Sequence, residues 1–408
     1  MAETLVIRNV RPGGGAPADI LIRDGRIAAV AAVGLATDGQ AIGGQEIDGQ
    51  EIDGDGALAL PGLVEAHTHL DKTLWGMGWH PHSAGPGIAD KIDNERRVRR
   101  EVGIEPDRQS ARLAAQMLVM GTTHIRSHVD IDTEVGLSGV EGVMAMRERL
   151  KPIIDIEIVA FPQSGLMIRP GTLELVDRAL ALGAEVVGGL DPCAIDRDPK
   201  GHLDAVFGLA EKHGRPIDIH LHERGEMGAF SLDMIIERTR ALGLQGQVTV
   251  SHAFCLGMAD VDHARRLIAD LARERIALAT TAPASAPAPA VRACLEAGVV
   301  VCGGSDGVRD SWNPYGIGDM LERAMLVGLR NDFRRDEDIA LAVDVCTHGG
   351  AKVMGLADYG LEAGCAADLV LVAGESLAEA VAVRPRERTV IKRGRVVVHD
   401  GRLAVPIA

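Results

Sequence analysis

Short apolar runs rich in β-branched residues alternate with longer helical patterns through the middle of the chain. The longer stretches, such as residues 108–120, 173–182 and 205–213, carry apolar side chains three and four positions apart, which is typical of amphipathic helices. Alternation of this kind predicts a parallel sheet with crossover helices. The predicted strands are residues 63–67, 123–128, 155–161, 185–190, 217–220, 247–252, 276–280 and 299–303. Eight strands favour a closed (β/α)8 barrel of the TIM type.

A doubly wound open sheet is the alternative architecture for the same alternation. That fold binds nucleotides through a G-x-G-x-x-G segment after its first strand, and the segment is missing here. The glycines at residues 13–15 are followed neither by a helical pattern nor by Lys-Ser/Thr, so we interpret them as a turn and not as a phosphate loop.

The two ends of the chain lack helical periodicity and consist of short strand-like pieces separated by Gly-rich turns. The pieces are residues 4–10, 18–23, 26–33, 368–372, 389–392 and 395–398. We therefore predict an α/β protein in which residues 1–59 and 360–408 form one small β-sandwich. Residues 60–359 would then form the barrel domain.

Composition narrows the classes of partner. The chain has 408 residues, 46% of them hydrophobic, with 43 basic against 58 acidic side chains and a net charge of −15. No long Lys/Arg run could follow a phosphate backbone, so we expect no nucleic-acid partner. Six cysteines without CxxC spacing indicate a reducing compartment. No stretch approaches the ~20 apolar residues of a membrane span, so we expect a cytoplasmic protein without a membrane partner.

Histidines and acids gather where the predicted strands end. In a barrel the C-terminal ends of the strands build the active site, so these side chains should meet at one mouth. The spacing of two between His67 and His69 places both imidazoles on the same side of an extended chain, where they could hold one metal ion. The residues at these strand ends are His67, His69, His220, His222, Glu223, His252 and Asp306.

Six motifs resemble the landmarks of the amidohydrolase superfamily, and most closely its cytosine deaminase branch. They occur in the order PGLVEAHTHLDKT, RSHVDID, AFPQSG, DIHLHE, SHAF and GSDGVRDSWNP. The resemblance runs from about residue 60 to residue 369, and the tail YGLEAGCAADLVLV resembles this superfamily's return to the β-sandwich. The HTHLDK segment, with Lys72, also resembles relatives that remove alkylamines from hydroxylated triazine rings.

The resemblance implies one divalent metal ion, whose ligands would be His67, His69, His220 and Asp306. Three imidazoles and a carboxylate accept iron or zinc, so the identity of the ion stays open. A divalent ion lowers the pKa of a bound water from about 16 to about 7. Two-metal members use a bridging lysine or glutamate from the fourth strand, but EVVGGLDP offers no lysine there. We expect Asp191, the nearest acid, to be a loop or cap residue, and hence a single ion.

The resemblance also implies catalytic and substrate-binding roles. Glu223 would carry protons to the ring nitrogen and to the leaving amine, while Asp306 would accept the proton of the attacking water. His252 would contact that water and the tetrahedral centre. Gln163 would read a ring amide through its paired N–H and C=O groups, and Trp312 would form a wall of the pocket.

Several neighbouring residues keep more than one interpretation. His222 shares a face with His220 and is a rival metal ligand. His128 and Asp130 could support the site or simply pack inside the barrel. Asp71 and Lys72 could orient the loop after the first strand or contact substrate, or they could form a surface salt bridge of little energetic value.

The substrate expected from these observations is a small nitrogen heterocycle. We predict a metal-dependent hydrolytic deaminase that removes the exocyclic amine of a cytosine-like pyrimidine. Gly307 follows Asp306, however, where cytosine deaminases carry a second acid. One alternative is therefore a hydrolase that removes an alkylamine from a hydroxylated triazine or acts on another cyclic amide or amidine. The remote alternative is an inactive scaffold barrel, but such a protein should have lost metal ligands. A homo-oligomer is left open.

Overall fold

A computed structural model describes residues 4–33 and 49–407. Its strands are β1 (Thr4–Pro12), β2 (Ala18–Arg23), β3 (Arg26–Ala32), β4 (Gln50–Asp53), β5 (Leu58–Pro61), β6 (Leu63–Thr68), β7 (Thr122–Asp130), β8 (Asp155–Phe161), β9 (Val186–Leu190), β10 (Ile217–His220), β11 (Val248–Ser251), β12 (Ala277–Thr280), β13 (Val301–Gly303), β14 (Leu369–Val372), β15 (Thr389–Lys392), β16 (Arg395–His399) and β17 (Arg402–Leu403). Its α-helices are α1 (Ile88–Val102), α2 (Pro106–Val119), α3 (Ser138–Leu150), α4 (Thr172–Leu182), α5 (Pro199–His213), α6 (Gly225–Ala241), α7 (Val261–Arg273), α8 (Val291–Glu296), α9 (Met320–Arg330), α10 (Asp336–Val345), α11 (His348–Val353) and α12 (Leu377–Val383).

The eight predicted barrel strands are confirmed. They form one parallel sheet in the order β6 to β13, each strand pairing with the next. The first strand and the end of the last meet through a parallel bridge between Thr68 and Asp306. The Glu65 carboxylate adds a second link, because its Oε1 atom accepts the N–H of Ser305 at 2.8 Å and that of His67 at 3.3 Å. The sheet thus closes nearly completely, and its closure point lies beside the predicted metal ligands.

Strands from both ends of the chain form a single nine-stranded sheet, as the strand-like termini predicted. Its order is β17-β16-β15-β14-β5-β1-β2-β3, with β4 pairing to β1. The two ends join where β5 runs antiparallel to β14, with residues 58–61 opposite residues 369–372. Division of the chain into domains at residues 60 and 359 stays a prediction.

The outer helices bury one stripe each against the barrel. Helix α7 shows why, since its apolar residues recur three and four positions apart and its buried residues are Ala264, Leu267, Ile268 and Leu271. Asp260 caps its N-terminus by accepting the N–H of His263 at 2.9 Å. Full burial of a leucine or isoleucine contributes about 1.5–3 kcal/mol, so these stripes hold the helices on the sheet. Among residues 4–33 and 49–407, no helix combines the length and apolarity needed to cross a bilayer.

Helix α1 is an extra element between β6 and α2. Its buried residues are Ile92, Glu95 and Val98, three positions apart on one face. The helix ends at Gly103, whose φ of 65° lies in the left-handed region that favours glycine. An acid in the middle of a buried stripe requires polar partners, and these lie at the mouth of the barrel.

Candidate metal centre and active site

Three predicted metal ligands and the predicted catalytic residue His252 meet inside the barrel mouth. Donor atoms of His67, His220, His252 and Asp306 all lie within 4.8 Å of one another. His69 reaches the same carboxylate, with its Nε2 atom 3.3 Å from the Oδ1 atom of Asp306. His252 therefore belongs to this group as closely as the predicted ligands do. His69 contacts the group through Asp306.

The nitrogen atoms of this group are suited to a divalent cation. Within the described residues, the Nε2 atom of His67 and both ring nitrogens of His220 and His252 are buried without a hydrogen-bond partner. Burial, together with neighbouring imidazoles, holds the pKa values of His67 and His220 well below their ordinary range and lowers that of His252 to about 3. Neutral imidazoles keep the lone pairs that metals require. The partly exposed carboxylate of Asp306 completes a donor set that fits one such ion.

A hydrogen-bonded chain fixes the tautomer of His67. The Ser251 hydroxyl donates to the Oδ1 atom of Asp218 at 2.6 Å, and Arg126 donates to the Oδ2 atom of Asp218 at 3.1 Å. The Nδ1 atom of His67 lies 2.9 Å from the Ser251 oxygen. Because the hydroxyl hydrogen points to Asp218, Nδ1 of His67 carries the proton and donates to Ser251, which leaves the Nε2 lone pair for a metal.

The backbone bends sharply where two of these side chains leave their strands. Asp306 has a φ of 61° and His252 a φ of 70°, which non-glycine residues adopt only where surrounding contacts hold them. The N–H of Asp306 donates to the carbonyl of His67 at 2.9 Å, and the N–H of His252 donates to Ala279 at 2.8 Å. The Thr68 hydroxyl also donates to the carbonyl of Asp306 at 2.9 Å. The barrel ends thus set the direction of both side chains.

Glu223 lies two residues before α6, and both of its carboxylate oxygens accept hydrogen bonds. Its Oε1 atom accepts the N–H groups of Cys193 and Ala194, each at 2.7 Å, and its Oε2 atom accepts the hydroxyl of Ser231. Burial raises the pKa of Glu223 above its ordinary value, although these three donors oppose the shift. This carboxyl therefore holds a proton up to a higher pH than an exposed glutamate would.

Asp191 forms two hydrogen bonds with His222. Its Oδ2 atom lies 2.8 Å from the Nδ1 atom of His222, and its Oδ1 atom accepts the N–H of His222 at 2.6 Å. The ring of His222 stacks on that of His252 with centroids 4.4 Å apart. Among the described residues, the grouping around Asp306 contains His220 and not its rival His222. The expectation that Asp191 has a local structural role agrees with these contacts.

Lys72 is buried, so its interpretation as part of a surface salt bridge is wrong. Its side chain is 3% exposed, and its Nζ atom lies 3.2 Å from carboxylate oxygens of both Glu95 and Asp130. It also donates to the Oε1 atom of Gln163 at 2.7 Å. Gln163 was expected to offer both its C=O and its N–H groups to a ring, but its oxygen is already bound by Lys72. Lys72 occupies one of the two acceptor positions of this oxygen, and the NH2 group can donate to a substrate.

The predicted pocket residue Trp312 belongs to the same network. Its indole N–H donates to the Oε2 atom of Glu95, and its ring centroid lies 5.5 Å from the Nζ atom of Lys72. Arg99 donates to Glu95 at 3.0 Å and, through another nitrogen, to Asp130. Sequence reasoning missed Glu95, although an acid within the apolar stripe of a helical pattern at residues 92, 95 and 98 was a signal that could have found it.

Asp130 and His128 differ in what they contact. The Oδ1 atom of Asp130 lies 3.7 Å from the Nδ1 atom of His69, so this acid supports a predicted ligand. His128 is fully buried, and its ring centroid lies 4.1 Å from that of His67. It forms a second candidate group with His67 and Asp218, but Arg126 already supplies a positive charge to that carboxylate.

Another candidate cation group lies at the opposite end of the barrel and is already neutralised. It consists of His124, Asp155 and Asp368. The Nζ atom of Lys392 lies 2.7 Å from Asp155 and 2.6 Å from Asp368. An ammonium group therefore occupies the position that a metal ion would need, and we assign this cluster a structural role.

Comparison with known proteins agrees with this architecture. The chain matches the Amidohydrolase family over residues 50–404. It is 34% identical over 356 residues to N-isopropylammelide isopropyl amidohydrolase of Pseudomonas sp. (strain ADP), covering 85% of this chain and 87% of that protein. The crystal structure of N-isopropylammelide isopropylaminohydrolase from Burkholderia multivorans ATCC 17616 is 50% identical, with a TM-score of 0.92 over 98% of this chain and 100% of that chain.

A second solved structure is similar across nearly its whole length. The 5-methylcytosine deaminase from Klebsiella pneumoniae, liganded with 5-fluorocytosine, is 27% identical, with a TM-score of 0.81 over 97% of both chains. The family match covers most of the chain, and the related proteins are amidohydrolases and deaminases. This protein belongs to the amidohydrolase family and is a hydrolase that acts on C–N bonds.

Proposed function

We propose that this protein hydrolyses the bond between an alkylamine and a hydroxylated triazine ring. The observation that carries the proposal is the contact between Lys72 and Gln163. Because the Gln163 oxygen is held at 2.7 Å, this part of the network presents N–H donors. Such donors suit a ring with oxygens on two carbons, as in a dihydroxytriazine, better than cytosine with its single oxygen. The similarity to two N-isopropylammelide hydrolases, at 50% and 34% identity, supports the same choice.

A single divalent ion is part of the proposal. His67, His69, His220 and Asp306 would hold it, with His252 beside the ion as a further donor. When bound, such an ion supplies a water molecule whose pKa is low enough for deprotonation near neutral pH. Iron and zinc both accept these donors.

The chain's own acid and base groups would then move the protons. Asp306 would accept a proton from the attacking water, and His252 would hydrogen-bond to the oxygen that becomes attached to the ring carbon. Glu223 would protonate a ring nitrogen during attack and would then regain the proton that Asp306 took from the water. It would pass that proton to the leaving amine, since an alkylamine leaves only after it gains a proton. Burial raises the pKa of Glu223, which favours the protonated form that a proton donor needs.

Deamination of a cytosine-like pyrimidine is the second candidate function. It is supported by the structural similarity to 5-methylcytosine deaminase over 97% of the chain. Both reactions would use the same groups, because each displaces an amine from a ring carbon that is bonded to a ring nitrogen. An inactive scaffold is disfavoured because the grouping around Asp306 keeps its buried imidazoles.

A substrate screen tests the proposal. Purified protein loaded with zinc or with iron would be incubated with N-isopropylammelide, ammelide, cytosine and isocytosine, and released amine or ammonia would be measured. We expect the highest kcat/KM for N-isopropylammelide. Preference for cytosine would favour the second candidate, and no amine release from any ring would overturn both. The Gln163→Ala variant should lower kcat/KM while its metal content stays normal.

A further inference from the structure

Asp310 lies in the loop that follows β13, and only one of its two carboxylate oxygens accepts hydrogen bonds from that loop. Its side chain is almost fully buried, with the residue 1% exposed. The Oδ1 atom accepts the N–H groups of Trp312 and Asn313, each at 2.8 Å, and so fixes the turn of the loop. The Oδ2 atom is also buried, and no described residue forms a hydrogen bond with it. A buried carboxylate oxygen without a donor is destabilising, so this atom calls for a ligand.

The position of that oxygen is defined by Gly307. A Cβ atom added at Gly307 would lie 2.0 Å from the Oδ2 atom of Asp310, so the carboxylate occupies the space of the missing side chain. The φ of Gly307 is not in the left-handed region, and its backbone therefore does not require glycine. Gly307 instead leaves space for the Asp310 carboxylate. Gly307 directly follows Asp306, one of the predicted metal ligands.

The charges that act on Asp310 also come from the active site. Burial raises the pKa of Asp310, whereas the Lys72 ammonium and the His69 imidazole lower it. Both groups are therefore within electrostatic range of the carboxylate. Lys72 is also the residue that binds the oxygen of Gln163. Lys72 thus acts on both residues, through its charge on Asp310 and through a hydrogen bond on Gln163, and the two offer opposite groups, an acceptor from Asp310 and a donor from Gln163.

We propose that the Oδ2 atom of Asp310 accepts a hydrogen bond from an N–H of the substrate ring and thereby determines specificity. The ligand class is a ring containing the unit C(=O)–N–H, in which the ring oxygen meets donors and the ring N–H meets Asp310. The inference rests on the proposed function, because it places a heterocycle beside Asp306. A site built to accept an N–H discriminates against rings that lack it, because the acceptor is then left buried and unpaired.

Binding of cyanuric acid, a triazine with three C(=O)–N–H units, tests the proposal without relying on turnover. The variant Asp310→Asn keeps an oxygen for the N–H groups of Trp312 and Asn313 and replaces the second acceptor by a donor. The variant Gly307→Ala adds the Cβ atom that would displace the Oδ2 atom. Asp260→Asn is the matched control, since Asp260 also accepts a backbone N–H, that of His263 at 2.9 Å, but at the start of an outer helix.

Calorimetry on the zinc-loaded proteins should show binding by the wild type and by Asp260→Asn. We expect Kd to rise about 10- to 100-fold in Asp310→Asn and in Gly307→Ala, the loss expected for a hydrogen bond to a charged group. Metal content and melting temperature of Asp310→Asn should stay near wild type. Unchanged binding by Asp310→Asn, no binding by the wild type, or a loss accompanied by an equal loss of metal and stability would overturn the proposal. Failure of the proposed function would appear separately, as no amine release by the wild type.

Discussion

The Nδ1 atom of His67 lies 2.9 Å from the hydroxyl oxygen of Ser251, which itself donates to the buried Asp218. Residues on two neighbouring strands, β10 and β11, therefore determine that the Nε2 atom of His67 keeps its lone pair available for a metal ion. Contacts of this kind orient a metal-binding imidazole and raise its basicity.

Removal of the Ser251 hydroxyl should weaken metal retention. We expect Ser251→Ala to lose metal about 10- to 100-fold more readily than the wild type, because His67 can then rotate or change tautomer. Metal content after dialysis against graded chelator concentrations is the measurement. Ser110→Ala is the control, since Ser110 is equally buried but donates to Asp107 in an outer helix. Equal retention by both variants would show that Ser251 does not support the site.

Glu223→Gln should separate proton transfer from metal binding. The glutamine keeps the shape of the side chain but has no titratable proton, so kcat should fall by about 10²- to 10⁴-fold while metal content stays the same. Steady-state turnover and elemental analysis of the same preparation provide the comparison. Near-normal turnover would mean that Asp306, His252 or solvent supplies the proton.

Ser231→Ala should shift the pH dependence of the reaction. The Ser231 hydroxyl donates to Glu223 and lowers its pKa, whereas burial and the nearby Asp191 raise it. Loss of the hydroxyl should therefore move the limb of the kcat/KM profile that reports Glu223 to higher pH. The N–H groups of Cys193 and Ala194 stay in place, so the carboxyl should keep its position. An unshifted limb would assign that titration to another group.

Lys392→Met should destabilise the protein strongly. Lys392 is fully buried between Asp155 and Asp368, and its removal leaves the Asp368 carboxylate buried without its cation. Loss of one partner of a buried ion pair costs about 3–5 kcal/mol, which urea unfolding would detect. Lys151→Met is the control, because this exposed lysine lies 3.7 Å from Glu148 and its loss should change stability by no more than about 0.5 kcal/mol. Similar effects of the two substitutions would contradict the structural role of the cluster.

His124 should make stability dependent on pH in the acidic range. Burial, followed by the charge of Lys392, lowers the pKa of His124 to about 4 from an ordinary value of 6.5. The unfolded chain binds a proton there below about pH 6.5 and the folded chain does not, so the free energy of unfolding falls as pH decreases from about 6.5 to about 4. The fall should reach up to about 3 kcal/mol and be missing from His124→Asn. Parallel pH curves for the two proteins would refute this.

The sequence predicted the barrel well because each strand carries a local signal. Residues 155–161 and 217–220 were predicted with the bounds that the structure has, since β-branched residues fill each run and a helical pattern follows. The residues at the strand ends followed from the fold, because parallel strands bring their C-terminal ends together. For residues at strand ends, the sequence pattern that predicts the strand therefore also predicts their place at the mouth of the barrel.

Contacts across the sequence could not be predicted in this way. Glu95 meets Trp312 over a separation of 217 residues, and nothing near either residue specifies the other. The oxygen of Gln163 is bound because Lys72 folds back from another strand end. Gly307 looked like the loss of an acid, whereas it makes room for Asp310, a relationship that only the three-dimensional packing reveals.

The pairing of β5 with β14 has a consequence for synthesis of the chain. Strand β5 is complete at Pro61, but its partner begins only at Leu369, roughly 300 residues later. At about 5–20 residues per second, the edge of β5 stays without that partner for roughly 15–60 s after it leaves the ribosome. An open strand edge favours pairing with other chains. We expect nascent chains that are stalled before residue 369 to be cleaved by protease near β5 and to aggregate when they are released. Protection of β5 from protease in such chains would show that another segment covers the strand edge first.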